Sequence, residues 1–211
     1  LSAAVRLTGR AGTAWRTALV AAFTILVVTR IPPIFTEGRF WAEEGYVYFN
    51  AAWHRPWLDA LLLIHTGYLN LAASAMTLVA VHVTDLEHAP LVTAILATMI
   101  QILPAILLAI SGISWLQTAP ALGVALIMLL LPLGTAEVWA NSITSQFHMT
   151  SAVGIILASQ IRRGGAGLVQ KLVLFLAPLV GPAAGMITPM FVLRAIFDRS
   201  WPRLFQAVLL A

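Results

Sequence analysis

The chain has 211 residues, 60% of them hydrophobic and 9% charged, and no cysteine. A soluble domain carries roughly 25% charged residues, and the mean hydropathy here is +0.92. These values exclude an ordinary soluble domain, a disordered chain and a disulfide-stapled module, and predict an all-α, polytopic membrane protein. Its natural partner is the lipid bilayer, and no nucleic acid is expected despite the net charge of +4. Eleven prolines and fourteen glycines point to broken helices, tolerated at membrane depth only where protein or a wet cavity satisfies the backbone.

Arg6, Arg10 and Arg16 precede the first apolar run, 17–35, and read as a cytoplasmic anchor. Further runs follow at 67–83, 89–110, 120–134, 147–161 and 172–193. No formal charge occurs between Glu87 and Glu137, which suits two crossings joined by a turn at 111–118. The chain starts at Leu1 and stops inside an apolar run, so it reads as the N-terminal part of a longer membrane domain, with 1–211 a single transmembrane unit.

Basic residues gather at 1–16 and 162–171, acidic ones mostly elsewhere. The positive-inside rule therefore places the N-terminus in the cytoplasm and the loops 36–88 and 135–147 outside. This parity holds only if one early run does not cross. The 67–83 run, diluted by Tyr68, Asn70, Ser74, Thr77 and His82, is read as an external helix in the outer leaflet; a plain crossing is the alternative. The 172–193 run is either one span or a hairpin turning at Gly181-Pro182. The hairpin keeps Arg194, Arg199 and Arg203 inside and would place the break beside Glu44 and Asn141.

Chemistry concentrates in two polar segments. In the first, residues 40–53 suit one interfacial helix rich in Trp and Tyr, on which Glu44 and Tyr48 share a face. Glu43 and Glu44 can act as base and as ligands for a hard cation, or simply be a solvated helix start. His54 and Arg55 can hold a phosphate or touch lipid headgroups. The second segment holds Glu137, Asn141, Gln146 and His148, which are costly near membrane depth unless used, or else cap helices in a wet loop. No HExxH, Walker, GxGxxG or GxSxG pattern occurs.

The stretches Phe40-Trp-Ala-Glu-Glu-Gly45, Gly67-Tyr-Leu-Asn-Leu71, 141–148 and Gly181-Pro182 with Pro189 resemble the GT-C superfamily of integral-membrane glycosyltransferases, in particular its actinobacterial members. There the acidic motif is expected as Ala-Glu-Asp-Gly; Glu44 stands at the Asp position. The resemblance implies an inverting transfer of sugar from a polyprenyl-phosphate donor to an extracytoplasmic glycan, lipid or protein acceptor. It implies Glu44 as catalytic base with Glu43 beside it, and His54 and Arg55 at the donor phosphate. Glu137, Asn141, Gln146 and His148 would serve the acceptor side, and a divalent cation, Mg or Mn, would lie between Glu44 and Glu137. It also implies an external juxtamembrane helix pair after the first crossing, and a place in the inner or plasma membrane serving the cell envelope. The competing classes are a transporter or channel fragment with broken helices, and a non-catalytic membrane protein.

Overall fold

A computed structural model describes residues 9–131 and 135–211. Arg6 and the end of the 120–134 run lie outside the described residues. The chain is all-α, with 75% of the described residues helical, as its composition predicts. Among the described residues two helices are long and apolar enough to span a membrane. One is α1 (Gly9–Thr29). The other is the 22-residue pair α6 (Ala89–Gln101) and α7 (Leu103–Ile110). Pro104 lies in the first turn of α7, where a missing amide costs least.

Between these come α2 (Pro32–Thr36), a π-helical turn at Glu44–Phe49, α3 (Asn50–His54) and α4 (Trp57–Leu61). The hairpin β1 (Ile64–His65) and β2 (Tyr68–Leu69) follows, turning on Thr66 and Gly67, both at positive φ. The single helix expected over 40–53 is corrected: Ala42 sits at φ 43 and regular winding starts only at Glu44. The physical reason is the Glu44 carboxylate, which reaches back to the Trp41 amide at 3.0 Å and fixes a non-helical entry.

The 67–83 run forms α5 (Leu71–Val83), capped by Asn70 Oδ1, which accepts from the Ala73 amide at 3.1 Å. Its 13 residues extend about 20 Å, short of a hydrocarbon core of about 30 Å. The helix packs on α6. After α7 come α8 (Ala119–Leu130), α9 (Thr135–Val138), α10 (Ser145–Ala158), α11 (Gly164–Val180), α12 (Pro182–Gly185), α13 (Thr188–Phe197) and α14 (Trp201–Leu210). The helix of the last apolar run begins eight residues before Leu172, so Lys171 lies within α11 rather than in a connection. Gly167 permits this start: a Cβ there would collide with the Arg162 carbonyl.

The core mixes large side chains such as Leu107, Ile156 and Phe191 with many small ones, and numerous large apolar side chains lie exposed. Alanines such as Ala73, Ala80, Ala97, Ala105, Ala152 and Ala177 are buried, while Ile25, Ile127, Leu172, Phe175, Ile196 and Phe197 are exposed. Small residues let helices approach closely where lipid supplies no hydrophobic drive between them. Thr24, Thr77, Thr98 and Thr150 return their hydroxyls to carbonyls four residues back.

Two ends of the bundle follow from the contacts. At one end Arg16 donates to the Ala109 carbonyl and to Gln117 Oε1, Gln160 N donates to Ser111 O, and Arg203 donates to Ser159 O. At the other, Glu44 meets Ser142, Asn70 meets Ile143, and Gly181 lies on Gln146. The chain reverses at Gly181: α11 leads from Arg162 to Gln146, and the segment after α13 is back beside Ser159. The turn expected at Gly181-Pro182 is thus present, its first arm the 17 residues of α11 rather than a short half-run.

Candidate functional site

Glu44 starts the π turn and is 1% exposed. One carboxylate oxygen accepts from the Trp41 amide at 3.0 Å, the other from the Ser142 amide, also at 3.0 Å. The second bond joins the two polar segments across 98 residues of sequence. Burial pushes the carboxyl above the usual range, and the Ser142, Trp41 and Thr93 groups beside it partly offset that rise. Both carboxylate oxygens are thereby engaged, each by one backbone amide.

Glu43 precedes the turn and is half-buried. Among the described residues no hydrogen bond or ion pair engages its carboxylate. It lies near Tyr48, whose phenol is pushed up to about 12, by burial first and then by Tyr68 and Glu43. Tyr48 also stands edge-on to His65 at 6.1 Å. The hairpin that carries His65 presents Tyr68 as well, whose hydroxyl accepts from Gln146 Nε2 at 3.3 Å. Glu43, Tyr48, His65, Tyr68 and Gln146 thus form one polar neighbourhood built from three separate segments.

Asn141 organises the second segment. Its Nδ2 donates to the Glu137 carbonyl at 3.0 Å, and its Oδ1 accepts from the Thr144 amide and hydroxyl. Gln101, fully buried in α6, accepts from the Ala140 amide at 2.7 Å and donates to the Asn141 carbonyl at 2.9 Å. Asn70 Nδ2 donates to the Ile143 carbonyl at 3.2 Å. Two side chains from elsewhere, Gln101 of α6 and Asn70 at the start of α5, thereby hold the turn that Asn141 braces from within. Gln101, Asn70, His65 and Tyr68 were not singled out from the sequence as site residues. For Gln101 a signal existed: an amide alone in an apolar run must find a partner.

Other expected residues lie elsewhere. His148 accompanies Trp139, ring centroids 4.5 Å apart, beside a cavity of about 260 Å³. Glu137 is exposed and contributes its carbonyl rather than its carboxylate. The Glu44 oxygens, expected beside a cation with Glu137, accept from backbone amides, and among the described residues no group of three His, Cys, Asp or Glu side chains is placed to hold a metal. His54 lines a groove of about 540 Å³ with Gly45, Tyr46, Phe49, Trp53 and Leu86. Arg55 is exposed and lies outside that lining.

The Gly181 break reaches the second polar segment at Gln146. A Cβ there would sit 2.5 Å from Gln146 Oε1 and 2.7 Å from Gln146 Cβ. Gly181→Ala is expected to destabilise the protein by about 1–3 kcal/mol through overpacking, measured by denaturant unfolding in micelles. Gln146→Ala should return only part of that loss, because the Gln146 Cβ remains; full additivity of the two changes would show that the close approach carries no strain.

No family model matches this chain, and no curated protein or solved structure matches it either.

Proposed function

We propose that this chain is the membrane-embedded part of a glycosyltransferase that uses a polyprenyl-phosphate sugar and works at the extracytoplasmic face. The observation that carries the reading is the Glu44–Ser142 bond, which brings the two polar segments together at the end of the bundle opposite Arg16, Arg162 and Arg203. By the positive-inside rule the arginine end is cytoplasmic, which leaves the carboxylates outside. The exposed large apolar residues and the many buried alanines support a bilayer as solvent, and α5, packed on α6, is then an external helix.

In this reading Glu43, rather than Glu44, is the base. An acceptor hydroxyl attacks the anomeric carbon of the donor; the bond from that carbon to the phosphate oxygen breaks. The hydroxyl proton passes to the Glu43 carboxylate, and polyprenyl phosphate departs. Glu44 positions the π turn, and with it Glu43. The groove of Tyr46, Phe49, Trp53 and His54 begins at Gly45, next to the acidic pair. Its apolar walls suit an isoprenoid chain and its histidine a phosphate. The decisive assay is sugar transfer from a lipid-linked donor by Glu43→Gln and Glu44→Gln protein.

Orientation has its own test, made clean by the absence of native cysteine. Single cysteines at Asp85 and Arg163 should label from opposite sides: Asp85→Cys in intact cells, Arg163→Cys only after permeabilisation. Labelling of both from one side would overturn the topology.

A further inference from the structure

A large cavity lies at the opposite end of the bundle from the carboxylates. It has a volume of about 670 Å³ and opens between α1 and the end of α7. Its floor is apolar, formed by Val20, Ala21, Ile106 and Ile110, and two guanidinium groups, of Arg16 and Arg162, stand at its rim. The two are close enough to repel one another, and none of the residues lining the cavity is acidic.

Both arginines are held in place by the fold. Arg16 donates to the Ala109 carbonyl in the last turn of α7 and to Gln117 Oε1 at 2.6 Å. A helix C-terminus favours a cation there. Arg162 packs over the 111–113 turn, its Nη1 3.0 Å from where a Cβ on Gly112 would stand. Gly112 has φ +71, so a side chain at this position is disfavoured twice, by conformation and by the space the guanidinium takes. The backbone is shaped to admit Arg162 to the rim.

Two guanidinium groups over an apolar trough give the cavity a cationic rim and a hydrocarbon-like floor. A free anion complements the rim but leaves the trough unused. A molecule with a phosphate at one end and a hydrocarbon chain at the other satisfies both, and guanidinium groups are suited to phosphate oxygens. We infer that this cavity binds an anionic phospholipid of the cytoplasmic leaflet, its phosphate between Arg16 and Arg162 and one acyl chain along Val20, Ala21 and Ile106. The inference rests on the membrane placement proposed above and is independent of sugar transfer. In the bilayer such a lipid ties the first crossing to α7 at the depth where charges and tails meet.

The test uses the full chain purified from membranes and reconstituted with phosphatidylcholine and phosphatidylglycerol in equal amounts, with retained lipid counted by native mass spectrometry. Wild type should retain phosphatidylglycerol in preference to phosphatidylcholine. Arg162→Gln, whose described hydrogen bonding is through its backbone amide, should lower that preference at least about threefold, in line with loss of one charge-assisted bond. Ala21→Phe, on an exposed face of α1, should block the trough while keeping both charges, and lower retention likewise. Unchanged preference in either variant overturns the lipid site. So does competition by millimolar glycerol 3-phosphate as effective as that by the lipid, which would make it a site for a soluble anion. Protein that does not sediment with membranes would end the membrane placement itself, an outcome distinct from a membrane protein holding both lipids equally.

Discussion

Glu43→Gln is expected to lower transfer from the lipid-linked donor by about 10²–10⁴-fold, the usual worth of a positioned general base, with the fold intact. Glu44→Gln should stay within about threefold of wild type per folded molecule, because the Glu44 side chain is buried and each of its oxygens is already held by a backbone amide. Its signature is stability instead. Glu44→Ala leaves the Trp41 and Ser142 amides without acceptors, at about 1–3 kcal/mol each; Glu44→Gln keeps one acceptor and is milder.

The pH dependence separates the two carboxylates further. Burial raises Glu44 from its ordinary 4.5, so the folded protein binds that proton more tightly than the unfolded chain does. The stability this supplies is complete below the unfolded value and is lost as pH rises through the folded one. Wild type should therefore lose stability relative to Glu44→Gln as pH climbs from about 4.5, followed by unfolding in micelles. The reverse pattern, with activity lost in Glu44→Gln and kept in Glu43→Gln, would return the base to Glu44.

The helical class, the break at Gly181 and the kinship of the two polar segments were legible because each has a strong one-dimensional signal. Long apolar runs favour helices, a Gly-Pro pair stops one, and the acidic residues lie apart from the basic clusters at 1–16 and 162–171. The separate duties of Glu43 and Glu44 were not legible. Adjacent residues in sequence point to different sides, and which side is buried depends on Ser142, almost a hundred residues on. The π winding was hidden for the same reason: a period of 3.6 predicts that Glu44 and Tyr48 share a face, and says nothing of an inserted residue. The early start of α11 was masked by Arg162, Arg163 and Lys171, which read as a boundary, whereas Gly167 lets the chain turn straight into a helix. Arg162 itself was visible as a topogenic charge, but its partnership with Arg16 exists only after α1 and α7 have packed.

The largest stability loss from a single side chain should come from Gln101→Leu, at roughly 2–5 kcal/mol. Leucine matches the volume but removes both bonds that Gln101 makes to the second polar turn, the 2.7 Å acceptance from Ala140 N and the 2.9 Å donation to Asn141 O. Each orphaned buried group costs about 1–3 kcal/mol. The turn is already under conformational load, since Ala140 is held at φ 55, a region that disfavours a Cβ. Ala140→Gly removes that load and should stabilise the wild type by up to about 1 kcal/mol. It should also recover part of the Gln101→Leu loss, because the freed turn then needs less from its clamp. Denaturant unfolding of the two single variants and the double gives the coupling directly. The same samples report on function: if Gln101 holds Ser142 where Glu44 can reach it, Gln101→Leu loses transfer activity together with stability, and Ala140→Gly does not. A Gln101→Leu protein within about 0.5 kcal/mol of wild type would mean that the turn at 139–141 stands without its clamp, and that the two polar segments are joined by Glu44 alone.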